Sequence, residues 1–173
     1  MLNVRLAIAS LGFAMMLSPV SALLAQTAQA PAAPLPSQIL TAKKVFISNA
    51  GGDFGHWSWS GGQARTYNEF YAAIKGWGRY ELVSAPGDAD LVLAIIGHHP
   101  IDTGGDNVFA VPQFGLMLMD PKTHIVLWTL DEHVSQGMGT QKTRDKNFED
   151  ALNKLVGDLK ALTAQPAATS AAK

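Results

Sequence analysis

Between Asp90 and Gly97 the chain reads Leu-Val-Leu-Ala-Ile-Ile with no polar interruption, and no other segment restricts the fold as much. A run this short is too brief for a core helix and shows no alternation. It fits a strand shielded on both faces, so it belongs in the middle of a sheet. The turn residues Ala85-Pro86-Gly87-Asp88 stop the chain before it, and Gly97-His98-His99-Pro100 follow it.

The flanking segments supply neighbours for that strand. Lys44 to Ser48 (Lys-Val-Phe-Ile-Ser) is β-branched and aromatic and ends at the turn composition Asn49-Ala50-Gly51-Gly52. Tyr80 to Ser84 reads as another short strand. Phe114 to Asp120 and Ile125 to Val134 form a hairpin across Asp120-Pro121-Lys122-Thr123-His124, with Asp opening the turn and Pro second, as a type I turn prefers. Strict alternation along the second arm would put Val126, Trp128 and Leu130 on one face and Leu127, Thr129, Asp131 and His133 on the other. Met117 and Met119 share a face of the first arm opposite Leu116 and Leu118, which reads as packing rather than a soft-metal site.

Two helices complete the pattern. Thr66 with Glu69 three residues on has the form of a capping box, followed by Phe70, Ala73, Ile74 and Trp77 at helical spacing, with Gly76 and Gly78 at the end. A second helix, beginning near Asp145 or Asn147, carries Phe148, Ala151, Leu152, Leu155, Leu159 and Leu162 on one side and an Asp150–Lys154 pair on the other. The order β-α-β-β-β-β-α, with one apolar stripe per helix, predicts an α+β two-layer sandwich. Its sheet is expected to be mostly antiparallel, of about five strands, with both helices on one face.

The ends have a different character. Residues 1–25 have the form of an export signal: Arg5 is the one charge, Leu6 to Leu17 is apolar, and cleavage is expected after Ala25. The apolar stretch is shorter than the roughly 20 residues that span a bilayer, so no stable membrane insertion is expected after cleavage. Residues 26–37 read as an Ala/Pro-rich linker, 38–162 as one domain and 163–173 as a disordered tail. The implied address is periplasmic or secreted. With no cysteine, disulfides, thiolate metal sites and lipid attachment through cysteine are excluded; a formal charge of −1 gives no electrostatic case for nucleic acid.

The most unusual stretch is Gly51 to Gly62, which sets Phe54, His56, Trp57 and Trp59 in a glycine-rich loop between strand and helix. Flat rings there can stack on a sugar or a partner's apolar side chain, or fold back as a lid on the sheet end. No G-x-G-x-x-G and no trailing Gly-Lys-Ser/Thr accompanies the glycines, and no cofactor is expected. A metal site would need His98 or His99 to join Asp102 or Asp106, because adjacent histidines on an extended chain point to opposite sides. Asp131, Glu132 and His133, or Asp88 with Asp90, supply acid-base residue types whose convergence spacing alone does not reveal.

The blocks Tyr67-Asn-Glu-Phe-Tyr-Ala-Ala-Ile-Lys75, Gly78-Arg-Tyr-Glu-Leu-Val83, Asp88-Ala-Asp-Leu-Val-Leu93, Asp120-Pro-Lys-Thr123 and Val126-Leu-Trp-Thr129 resemble a group of uncharacterised secreted bacterial envelope proteins. More distantly the arrangement is similar to the small α+β modules of the Tol-Pal propeller protein's N-terminal domain and the curli-secretion lipoprotein. Those modules bind partners and are not enzymes, which is what the resemblance implies here; the aromatic loop beside a core without a catalytic motif extends this to a non-catalytic envelope module that binds a protein or glycan partner. The alternatives are an envelope hydrolase or metal-dependent enzyme using His98 or His99 with a nearby Asp, and a purely structural domain.

Overall fold

The computed structural model describes residues 34–52, 59–99, 101–102, 109–135 and 139–165, with the side chains of 101–110 left outside the description. A short helix α1 (Ser37–Thr41) precedes β1 (Lys44–Asn49), α2 (Arg65–Trp77) and β2 (Glu81–Leu82). After a 3₁₀ turn at Pro86–Asp88 come β3 (Leu91–His98), a two-residue ladder of β4 (Ile101–Asp102) with β5 (Phe109–Ala110), the hairpin β6 (Gln113–Met119) and β7 (Val126–His133), and α3 (Gln141–Thr163). The main sheet has the order β2-β1-β3-β6-β7.

The α+β sandwich expected from the sequence is the observed architecture, and β3 is central. Its sheet is evenly mixed rather than mostly antiparallel. β1 pairs in parallel with both β2 and β3, while β3–β6 and β6–β7 are antiparallel. The parallel half follows from α2, which returns the chain to the starting end of β1 so that β2 runs beside it. Asp90 then ties the starts of β1 and β3 together, its Oδ2 accepting from Lys43 N at 3.0 Å and Lys44 N at 2.9 Å.

Both long helices pack on one face. Val45, Ile47, Leu91, Leu93, Ile95, Leu116 and Leu118 meet Phe70 and Ile74 of α2 and Phe148, Leu152, Leu155 and Leu159 of α3 in one buried cluster. The register sends Phe46, Val92, Ile96, Met117 and Met119 to the opposite face, where all five are half-buried and no helix lies among the described residues. The loss of strict alternation in β7 has a local cause. An irregularity between Leu118 and Met119 places Trp128 opposite Leu118 but Val126 opposite Met119, so Leu127 is an extra residue and packs toward the core. Val126, expected beside Trp128, is instead 44% exposed on the helix-free side.

Three other local expectations are corrected. α2 begins at Arg65 with Ala64 as N-cap and no side-chain capping bond. Thr66 is buried, and Glu69 accepts from Arg65 Nε at 2.5 Å instead of reaching back to a free N–H. α3 starts at Gln141, where the Thr140 hydroxyl accepts from Thr143 N, about two turns before the apolar stripe begins at Phe148. Lys154 binds Glu132 across on β7, and Asp150 pairs with Lys146, because the half-buried Glu132 carboxylate lies within reach of α3. The end of α2 is as expected: Gly78 adopts φ 70° and its N–H caps Ile74 O.

Candidate functional site

The aromatic loop leaves β1 and returns to α2 at the same end of the sheet. At its exit from β1, Gly51 and Gly52 hold φ of 80° and 98°. Gly97 N donates to Gly51 O at 3.3 Å. A Cβ on Gly52 would sit 1.7 Å from Gly97 O, so only glycine lets the chain pass this close to the end of β3.

The returning foot is bound to α3. Trp59 is half-buried, its ring 5.5 Å from that of Phe148, which meets Phe114 edge-on at 4.9 Å. Ser60 donates to Asp145 through its backbone N–H and its hydroxyl, each at 2.9 Å. Arg65 donates through Nη1 to Asp145 at 2.9 Å and through Nη2 to Glu149 at 3.2 Å, and its guanidinium lies 4.3 Å over the Phe148 ring. These contacts set the charges. The Asp145 carboxyl is held down at about 2, first by the Ser60 N–H and with help from the Ser60 hydroxyl, Gln141 and Arg65 against the cost of desolvation. Burial opposes the charge on Arg65, but hydrogen bonds and attraction from Glu69 and then Asp145 outweigh it and raise its pKa.

On the helix-free face of the same sheet end, pairing of His98 with Gln113 and of Gln113 with His133 sets three polar residues in a row across β3, β6 and β7. Gln113 Nε2 lies 2.7 Å from His98 Nε2. In the next row Gly115 lies opposite Asp131, and the space its missing side chain leaves is bounded by Asp131 Oδ1, Ile96 and the His98 ring. This polar row depends on sheet register and was not visible from spacing.

The sequence-stated candidates are thus distributed unequally. Phe54, His56 and Trp57 lie outside the described residues, as does Asp106, and the Asp102 side chain is likewise outside. Trp59 packs into the sandwich. His98 meets Gln113, and among the described residues no three His, Asp or Glu side chains converge to hold a metal ion. Asp90 is occupied by main-chain N–H groups, which lower its pKa, that of Lys44 first. Asp120 accepts from Lys122 N and the Thr123 hydroxyl to shape the hairpin turn, in which His124 takes φ 59°.

No family model matches the sequence, and no curated protein matches it. Solved structures do. Protein XCC0632 of Xanthomonas campestris, from family DUF330, is similar with a TM-score of 0.50 at 15% identity, over 75% of this chain and 88% of that one. A Helicobacter pylori protein described as a neuraminyllactose-binding hemagglutinin homolog gives 0.49 at 12% identity, over 72% and 87%. LpoB of E. coli gives 0.34 at 15% identity, over 78% and 85%. The likeness to XCC0632 is one of fold. Among the described residues no helix is long and apolar enough to cross a membrane.

Proposed function

We propose that this chain is a non-catalytic binding module of the bacterial envelope, periplasmic or secreted, that holds a protein or glycan partner at the loop end of its sheet. The observation that carries the reading is the fixing of both feet of the aromatic loop. Gly52 is seated against the Gly97 backbone, and Ser60 and Arg65 are tied to Asp145. A loop held at both ends loses less freedom on binding, and its rings supply area at low entropic cost. Phe54, His56 and Trp57 are the contact residues in this reading, with Trp59 as their support.

The test is capture of crosslinked partners from native envelopes, comparing the unaltered protein with a Phe54→Ala/Trp57→Ala variant. Loss of specific capture with an unchanged melting temperature supports the proposal. Equal capture by both proteins, or a large fall in melting temperature showing that those rings are core, overturns it.

A further inference from the structure

Among the described residues, one flank of β1 has no strand beside it beyond Leu82. Lys43 O accepts from Glu81 N and Val45 O from Val83 N, whereas Lys44 O accepts from Asp90 N and Ala50 N donates to Ile95 O. Odd-numbered residues of β1 therefore aim their main-chain groups toward β2, and even-numbered ones toward β3. Pairing with β2 stops at Val45 opposite Leu82, while pairing with β3 continues to Asn49. Ile47 and Asn49 consequently present N–H and C=O groups along a flank that no strand among the described residues pairs.

A groove of about 480 Å³ follows that flank, walled by Tyr67 and Tyr71 of α2 and by Phe46, Leu82 and Val83, and none of its lining side chains is charged. Tyr71 is 36% exposed. We propose that this flank receives an extended, uncharged peptide segment of a partner protein, which joins the sheet as a strand beside β1. Main-chain donors and acceptors repeating every second residue match the period of a peptide backbone and not that of a sugar. A neutral lining complements a neutral segment, since a charged side chain there would lose water without gaining a counter-ion. Alternate residues of the added strand would face Tyr67 and Tyr71 on one side and Phe46 on the other. The inference rests on the reading of the chain as a binding module but not on its aromatic loop.

The probe is a phage-displayed library of random heptapeptides panned on the intact protein, with the enriched sequences resynthesised and titrated by fluorescence anisotropy. The expected winners have β-branched or aromatic residues at alternate positions and no charge there. Their affinity should fall about tenfold with Tyr71→Ala and stay unchanged with Phe54→Ala/Trp57→Ala. N-methylation, one residue at a time, should abolish binding only at the alternate positions that face β1. That series reads strand addition on the unaltered protein and does not depend on how any variant folds. Failure to enrich any peptide, or tolerance of N-methylation throughout, overturns the proposal. Binding lost with the loop variant but kept with Tyr71→Ala also overturns it, while leaving the loop reading intact.

Discussion

Gly52→Ala should be far more damaging than Gly51→Ala, although the two glycines are adjacent and both hold positive φ. At Gly51 a Cβ meets nothing within 4 Å, so the variant bears only the conformational cost of an L-residue at φ 80°, about 1–2 kcal/mol. At Gly52 the same cost applies at φ 98°, but the new carbon would also lie 1.7 Å from Gly97 O, 2.7 Å from its carbonyl carbon and 2.9 Å from its nitrogen. Neither chain can yield by rotating a side chain, so the backbones must part. That forfeits the hydrogen bond from Gly97 N to Gly51 O, about 1 kcal/mol, and adds about 1–3 kcal/mol of displacement. The total of about 4 kcal/mol lowers the melting temperature by on the order of 10 °C in a domain of this size. Thermal and urea unfolding followed by circular dichroism on both variants measures the difference. Equal melting temperatures would refute the close approach of the loop foot to β3.

Trp59→Ala should cost about 2 kcal/mol through lost packing on Phe148, whereas Trp57→Ala should stay within about 0.5 kcal/mol of the unaltered protein; urea midpoints compare them. Arg65→Ala should cost about 2 kcal/mol, less than a fully buried pair because Glu149 is exposed, and Arg65→Lys should not restore it, since an ammonium cannot fork between Asp145 and Glu149. The folded pKa of Asp145 lies below its ordinary 3.8, at about 2, so its ionised form favours the folded state. That contribution is complete above 3.8 and disappears as pH falls through about 2, so Asp145→Asn should flatten the loss of stability over this interval in acid titrations followed by tryptophan fluorescence.

The elements that were legible in the sequence are those specified by local pattern. The unbroken run at β3, the Asp-Pro turn, the stripe of α3 and the glycine ending α2 each have a cause within a few residues. Thr66 misled because burial and the pairing of Glu69 with Arg65 replaced the capping geometry its spacing suggested. The parallel partners of β1 were hidden because strand direction depends on where α2 returns the chain. His98 and Gln113 are 15 residues apart and Arg65 and Asp145 are 80 apart, and only the folded register makes them neighbours.

The change from parallel to antiparallel pairing at β3 has a kinetic consequence. Its antiparallel contacts begin with Gln113, 15 residues from His98, whereas Asp90 must close 46 residues to reach Lys44. Closing the shorter loops costs less entropy before any contact stabilises them. The β3–β6–β7–α3 portion is therefore expected to assemble first, with β1, α2 and β2 docking onto a surface already made. Ile95→Val, at the shared strand, should slow folding, and Ile47→Val should mainly speed unfolding; stopped-flow measurements giving the reverse would place the nucleus on the other side of β3.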